Sequence, residues 1–531
     1  MRIDKVYIEE FKNLRKFSID LDESKMHTVL MGQNAAGKSN FIEAIVLIFR
    51  DLDHERETEF TYEIEYRCNG RYLKAIGGKN VKGIYQLYIG EKIGNDIKYP
   101  LKPLSKAIFR ENKDKYLPKH VFSYYSGVSD RLLKHFDRHQ VRFRDDLLKG
   151  IDHPIRRLFY ARNIHSHFVL MSFFSFSDEK IQNFLSEYLN IIGLESVLFV
   201  FKEPNWLRNK NPSDFWGAKG LVRSFLEELW EISMAPIVTT EKIRVDFVKR
   251  SHQQQIYLYV SNQEKIQKLA DKYLKHSLFF KILESTYVSD LIQEVRIKVK
   301  KRNINGDITF KELSEGEQQL LTVLGLIRFT KENESLFLLD EPDTHLNPLW
   351  KWKYISLLEG IVDENDHSQI LMTTHDPLVI GDLTKEEIRI FHPVKSIDEN
   401  GNEYNKIETF QPDFDPKGIG VAGILTSELF NLPTTLGPKT QNELNEYRTL
   451  EVLERQGILP EYQKEKLNKY TKYFESAGFN KYTRDPLYNL FIEKLSVLEE
   501  FKNIPKNEDE RKKQDKIALT ILEDLLKEEK E

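Results

Sequence analysis

The chain has 531 residues and a mass of 62.8 kDa, more than one compact core accommodates, so about two to four domains or one domain with large insertions are expected. Charged residues make up 31%, the hydrophobic set 40%, and the formal net charge is -4, a globular composition that excludes a uniformly basic nucleic-acid coat. A single cysteine, Cys68, excludes a disulfide framework or a multi-cysteine zinc site and fits a reducing, cytoplasmic setting, and no apolar run is long enough for a signal peptide or a membrane span.

Arg2 to Ile8 alternate polar and apolar residues as a strand does, and Phe17, Ile19 and Leu21 repeat the pattern. His27 to Met31 is a short apolar run ending in a glycine-rich turn, and Asn40 to Phe49 after it reads as a buried helix. The turn, Gly32-Gln33-Asn34-Ala35-Ala36-Gly37-Lys38-Ser39, matches G-x-x-x-x-G-K-[ST] at every fixed position. Its glycines let successive N–H groups curl toward phosphate oxygens, and the following helix adds the positive end of its dipole. Lys38 places a point charge between the outer phosphates, and Ser39 offers a hydroxyl to Mg2+. A chance match in a Gly/Ser loop is the alternative. The strand before and the helix after argue against it, so residues 32–39, with Asn40 at the helix start, are expected to hold ATP.

Phe60 to Ile89 alternates again, with Asn69-Gly70 as a hairpin turn. Leu117 to Ala235 is mixed and more helical, and Pro236 is a natural stop. Within it, residues 131–162 carry nine Lys/Arg against four Asp/Glu, interleaved with Phe136, Phe143, Phe159 and Tyr160. This pattern fits a nucleic-acid contact, but a solvated helical lobe with its own aromatic core fits better. Residues 293–313 form the clearest hairpin, with Asn305-Gly306 at the turn. The basic face of its first strand fits either a nucleic-acid contact or protection against edge pairing.

A helix is expected from Glu315 to Thr330, then an apolar strand from Ser335 to Leu339 that delivers Asp340 and Glu341 at its C-terminal end, where an α/β sheet places its chemistry. Asp340 is expected to hold Mg2+ through water, and Glu341 to polarise the attacking water as general base. Ser314 and Gly316, in Leu313-Ser314-Glu315-Gly316-Glu317-Gln318-Gln319, open the helix and form an anion site there. A further helix is expected around Pro348 to Ile361 and a strand from Gln369 to Met372. Thr373-Thr374-His375-Asp376 then puts an imidazole at another strand end, where His375 reads as a γ-phosphate contact. Beyond about residue 396 the chain turns polar, then helical, and closes on the amphipathic segment Asp515 to Leu526, a candidate docking helix or an element of its own domain's core.

This combination resembles the ABC-type ATPase heads of the RecF, SMC and OLD-like group: a Walker A loop, the LSEGEQQ signature, the Walker B strand LFLLDE, the D-loop PDTHLNP and the switch histidine in TTHD. The resemblance implies an α/β fold, an ABC-type head with a mixed central sheet, an inserted mainly helical region and a helical C-terminal region. The expected domains are an N-terminal head lobe (1–130), the insert (131–284), a C-terminal head lobe (285–395) and a helical docking region (396–531). It also implies a head-to-head dimer, or a larger oligomer, sandwiching ATP and Mg2+. Ser314 and Gly316 would act in trans and His375 in cis, with Glu317 among the nucleotide-binding residues. Asn347 stands where many relatives carry the D-loop aspartate, and Gln86 is the nearest candidate for the Q-loop glutamine.

The segment from Gly418 to Leu432, with Thr434-Thr435-Leu436 and Tyr124-Tyr125-Ser126-Gly127, looks like the PtuA family, the ATPase subunits of Septu-type antiviral systems, which stand alone or beside retrons. That resemblance implies a partner HNH nuclease subunit (PtuB-like) that the ATPase holds or restrains. The retron-associated branch implies in addition a reverse transcriptase with its reverse-transcribed DNA or non-coding RNA. Two other functions compete: a RecF-like repair ATPase that binds DNA, and an OLD-like nucleotide-dependent nuclease. Asp413-Phe414-Asp415 is the D-x-D that the last would use; the expected upstream glutamate is absent and the segment reads as a polar loop, so the chain is not expected to cut nucleic acid by itself.

Overall fold

In the computed structural model the described residues are 1–531 without 80, 95, 177, 207–210, 245–249, 303–307, 310–312, 331–333, 362–367, 398–400, 478–489, 493, 496–497, 502–507 and 529–531. They form two compact units, Met1–Gly418 and Ile419–Glu531.

The first unit begins with β1 (Arg2–Phe11), β2 (Leu14–Asp20) and β3 (His27–Gly32), followed by helix α1 (Lys38–His54). Strands β4 (Tyr62–Cys68), β5 (Arg71–Gly77), β6 (Tyr85–Ile93) and β7 (Asp96–Lys98) complete an antiparallel sheet of order β2-β1-β4-β5-β6-β7. Its β4–β5 turn is Asn69-Gly70, both with positive φ (49° and 73°), the pair of left-handed residues that a tight two-residue hairpin requires.

A second sheet of seven strands carries the parallel core. It adds β8 (His120–Tyr125), β9 (Leu158–Tyr160), β15 (Ser335–Asp340), β16 (Gln369–Thr373), β17 (Ile388–Ile397) and β18 (Glu403–Phe410) to β3, in the order β18-β17-β3-β16-β15-β8-β9. All neighbours are parallel except β17 with β18. Because α1 lies in a core shared by both sheets, it is apolar almost all round: Phe41, Ile42, Ile45, Val46 and Phe49 are buried with Ile8 and Leu73 of one sheet and Leu338, Leu371 and Phe391 of the other.

The third sheet, β11-β12-β10-β13-β14, is built from β10 (Ile191–Lys202), β11 (Ile237–Arg244), β12 (Arg250–Val260), β13 (Ile292–Lys301) and β14 (Ile308–Thr309). Alternation decides its faces: Val197, Phe199, Ile256, Leu258, Val295 and Ile297 are buried, whereas Tyr259, Arg296 and Lys298 are exposed. Helix α3 (Ile164–Ser175) packs against β10 and against α4 (His276–Val288) and α5 (Glu315–Thr330), and α2 (Asp137–Lys149) packs on α4, with α6 (Pro348–Trp352) and α7 (Tyr354–Ile361) following. The expected hairpin after residue 293 is present as the β13–β14 pair, and its Asn305-Gly306 turn lies outside the described residues.

The insert is mixed with more helix than strand, as expected; β10, β11 and β12 arise within it, and β10 pairs along its length with β13 of the following lobe. One expectation changes here: the head does not end at residue 395. β18 extends the seven-stranded sheet to Phe410, because the polar stretch after 396 alternates and pairs back on β17. The second unit is helical, with α8 (Gly420–Thr426), α9 (Pro438–Arg455), α10 (Glu461–Ser476) and α11 (Glu508–Glu528). Leu444, Tyr447, Leu450, Leu467 and Phe474 form a core between α9 and α10. On α11, Leu525 is buried and Leu519 and Leu526 are exposed.

Candidate nucleotide-binding and hydrolysis site

Four adjacent parallel strands, β3, β16, β15 and β8, end at one edge of the sheet. Their C-terminal ends deliver the glycine-rich loop, Thr373-Thr374, Asp340-Glu341 and Tyr125-Ser126. Register places Asp340 opposite Thr373 on one side and Tyr125 on the other. Residues far apart in sequence therefore meet at one rim, as open α/β sheets arrange their ligand sites.

The loop's shape explains both glycines at the motif's fixed positions. Gly32 has φ 139°, and a Cβ there would lie 2.4 Å from the Phe391 carbonyl oxygen; at Gly37 (φ 93°) it would lie 2.8 Å from Leu14 Cδ2. Ala35 adopts the left-handed region as well, and its carbonyl accepts a hydrogen bond from Asn13 Nδ2 at 2.8 Å. Gln33, Asn34 and Ala35 are exposed, whereas Ala36, Gly37 and Lys38 are buried. Asn40 bonds Asn13 Oδ1 (2.6 Å) and accepts from Arg131 (2.6 Å), so its side chain braces the loop from behind. Arg131 also pairs with the buried Glu43 at 2.9 Å.

Lys38 Nζ donates to the carbonyls of Gly32 (2.7 Å) and Gln33 (3.1 Å), arching over the loop. Burial lowers its pKa to about 8, with the nearby Glu341 and Asp340 carboxylates opposing the shift. Asp340 is fully buried, and one of its oxygens, Oδ1, accepts from Ser39 Oγ (3.0 Å) and Thr373 Oγ1 (2.7 Å). The other, Oδ2, is buried without a hydrogen-bond partner. Burial raises the Asp340 pKa, although the hydroxyls of Thr373 and Ser39 pull it down. A buried carboxylate oxygen lacking a donor, beside a serine hydroxyl, fits a hard divalent cation, so Ser39 and Asp340 suit Mg2+.

Glu341 is half-buried with φ 53°, a left-handed conformation that turns its side chain at the strand end. Its N–H donates to Thr373 Oγ1 (2.9 Å), and its Oε1 lies 3.2 Å from His375 Nε2. That contact holds the Glu341 carboxyl below the usual range against the opposing effect of burial. Glu341 and His375 thus face each other at the open edge, a carboxylate beside an imidazole.

Ser314 and Glu317 close a reciprocal cap at the start of α5: Ser314 N–H and Oγ both meet Glu317 Oε2 (2.7 and 3.0 Å), and Glu317 N–H donates to Ser314 Oγ (3.2 Å). Glu317 Oε1 pairs with Lys301 at 2.7 Å, so its carboxylate is committed within the chain. Gly316 lies against the D-loop, where a Cβ would be 2.4 Å from the His345 carbonyl oxygen. Ser314 is exposed, and its hydroxyl bonds to Glu317 rather than to residues 32–40. Asn347 caps α6, accepting from Trp350 N–H at 3.0 Å. Gln86 lies on β6, its amide bonded to the Lys82 carbonyl and the Tyr88 hydroxyl.

Sequence reasoning missed Asn13, Arg131, Thr373 and Ser126 as parts of this rim. Ser126 N–H donates to the Asp340 carbonyl (3.2 Å) and its hydroxyl meets Thr344 Oγ1 at 3.1 Å. The Thr373-Thr374 pair before His375 was the available signal, since a hydroxyl at a strand end is well placed to bond a neighbouring strand's acid. The basic stretch 131–162 resolves as a packed lobe: Phe136, Phe143 and Phe159 are buried, and Arg131, Arg156 and Arg157 are tied to Glu43, Glu284 and Asp53. These three rings offer no exposed stacking platform. Asp415 accepts from the Lys385 backbone N–H at 2.8 Å, holding a turn.

A family model described as AAA ATPase domain matches residues 1–380. The chain is 26% identical over 166 residues to the Septu protein PtuA of Bacillus mycoides (strain KBAB4), covering 29% of this chain and 22% of that protein. It is 33% identical over 113 residues to the Septu protein PtuA of Bacillus thuringiensis (19% and 27%) and 31% over 123 residues to the Retron Vc95 probable ATPase of Vibrio cholerae serotype O1 biovar El Tor (20% and 23%). The alignments thus span about a quarter of the length of these curated relatives. Among solved structures it is similar to the SMC head domain from Thermotoga maritima (TM-score 0.31, 13% identity, 78% of this chain and 100% of that one). It is also similar to the SmcHead bound to the C-winged helix domain of ScpA (TM-score 0.33, 13% identity, 77% and 98%). Among the described residues, no helix is long and apolar enough to cross a membrane.

Proposed function

Since this chain belongs to the AAA ATPase domain family and is an ABC-type ATPase similar to PtuA, we propose that it binds ATP with Mg2+, dimerises head to head around the nucleotide and controls a separate HNH nuclease subunit in a cytoplasmic Septu- or retron-type antiviral system. The observation that carries the nucleotide half of this reading is the Asp340 carboxylate, fixed by Ser39 and Thr373 through one oxygen and buried without a donor at the other.

The chain's own residues divide the work. The backbone of residues 32–39 and the N-terminus of α1 cradle phosphate oxygens, and Lys38 leaves the Gly32 and Gln33 carbonyls to reach the outer phosphates. Ser39 and Asp340 hold Mg2+, which when bound neutralises phosphate charge. Glu341 orients and deprotonates the attacking water, and His375, released from Glu341, turns toward the γ-phosphate. Ser314, exposed at the positive end of α5, meets the γ-phosphate held by the opposite copy, with Gly316 and Glu317 shaping that contact.

The printed names of the similar proteins, a Septu protein and a retron ATPase, support the defence setting, and a reverse transcriptase with its DNA or non-coding RNA is the further partner in a retron-type system. One experiment tests both halves. Glu341→Gln, co-expressed with the genes flanking it and supplied with ATP and Mg2+, should turn over ATP at least about a hundredfold more slowly and sediment as a closed dimer carrying the nuclease subunit. A monomer hydrolysing at the parent rate overturns the site reading. A trapped dimer that retains no neighbouring gene product overturns the partner reading alone.

A further inference from the structure

On the first unit, distinct from the rim just described, two histidines and an aspartate gather where the loop helix ends. Asp53 and His54 are the last two residues of α1, and His139 lies on α2. One ligand atom from each lies within 4.8 Å of the other two. The two imidazoles are nearly stacked, with ring centroids 4.0 Å apart and planes tilted by 30°.

The hydrogen bonding of this cluster is incomplete. His139 is 7% exposed; its Nε2 lies 2.9 Å from Asp53 Oδ2, while its Nδ1 is buried with no hydrogen-bond partner. His54 Nε2 is also shielded from solvent with no partner. The orphaned His54 Nε2 is costly unless something satisfies it, and His139 Nε2 with Asp53 Oδ2 supplies the other two potential ligand atoms beside that ring. Asp53 is held in place from its other side: Oδ1 accepts from Arg157 Nε at 3.0 Å, and its backbone carbonyl accepts from Lys113 Nζ at 2.6 Å.

We propose that Asp53, His54 and His139 form a binding site for a transition-metal dication of the zinc class, which staples the last turn of α1 to α2. Two nitrogen donors and one carboxylate select zinc over magnesium or calcium, which take oxygen ligands. Around a tetrahedral ion with bonds of about 2.0–2.1 Å the donors stand roughly 3.3 Å apart, so the cluster closes slightly on binding. His54 Nε2 makes no hydrogen bond that a metal ion would have to replace. Arg56, Arg138 and Arg157 oppose a cation here; the Asp53 charge and the negative C-terminal end of α1 favour one. Arg157, bonded to the far oxygen of Asp53, orients the carboxylate as outer-shell partners of metal ligands do.

The test uses the full chain, freed of metal by chelator and kept without nucleotide, titrated with cobalt as a spectroscopic stand-in for zinc. The expected result is one equivalent of cobalt with visible d–d bands, displaced by zinc and not by magnesium, and a zinc-dependent rise in melting temperature. Both effects should vanish in His54→Ala. His139→Ala should behave likewise where circular dichroism shows it folded; His54→Ala is the deciding variant because its residue lies at a helix end and its loss disturbs packing less. Asp340→Asn should keep the bands. The absence of bands in the parent chain, their survival in His54→Ala, or their loss in Asp340→Asn would each overturn the proposal.

Discussion

Lys38 shows what burial does to a single charge. The residue is 5% exposed, and burial lowers its pKa to about 8, well under an ordinary lysine. A lowered lysine pKa means that the charge is present below about pH 8 and lost above it. ATP affinity of the parent chain should therefore fall by several-fold between pH 7 and pH 9, measured by calorimetry. Lys38→Arg, whose guanidinium stays charged, should bind more weakly at pH 7 but with a flat profile, and Lys38→Ala should lose most affinity at every pH. A parent profile as flat as the arginine variant's would show that this ammonium keeps its proton. At this scale the sequence was informative wherever a motif has fixed spacing: the loop, Asp340-Glu341 and His375 meet at one rim. It was silent on Asn13 and Arg131, because a brace behind a loop has no spacing rule linking it to the loop.

Elements tell a similar story with different limits. The helix after Ser314 runs from Glu315 to Thr330 as its apolar periodicity predicts, and the expected strands around β15 and β16 agree to within a residue. β10 escaped because its residues sit in a stretch rich in helix signals and its partner β13 lies far along the chain; pairing, which decides a strand, is not local. The expected single helix from Pro348 to Ile361 is broken at Lys353 into α6 and α7. Helix packing adds a requirement invisible in one dimension. α5 presses on α3 at Gly325, where a Cβ would lie 2.1 Å from Val169 Cγ1. Gly325→Ala should lower stability by about 1–3 kcal/mol in urea unfolding despite alanine's better helix propensity, and Val169→Ala in the same chain should recover much of it. A neutral or stabilising Gly325→Ala would mean that the two helices part freely.

At the scale of the whole molecule, buried titratable groups couple folding to acidity. His120, on β8 inside the seven-stranded sheet, is 5% exposed, and burial lowers its pKa to about 4 against the help of a hydrogen bond to the Arg156 carbonyl. A histidine depressed in the folded state stabilises above its unfolded value of about 6.5 and withdraws that support as pH falls toward 4. It should contribute roughly 2–3 kcal/mol of acid sensitivity across that window. The melting temperature of the parent chain should drop more steeply from pH 6.5 to 4 than that of His120→Gln; parallel curves would assign the acid response elsewhere. The two-unit division at residue 418 was only half legible: composition changes near 396, yet the β17–β18 hairpin carries the head sheet beyond it. The order of strands in that sheet also bears on how the protein is made. β3, which ends in the phosphate loop, is flanked by β16 and β17, so both of its neighbours leave the ribosome more than three hundred residues after it. At about 5–20 residues per second, that apolar strand waits on the order of 20–70 s with unpaired backbone on both sides. Nascent chains halted before residue 369 should therefore depend on holdase chaperones and be unable to retain nucleotide, however complete their loop.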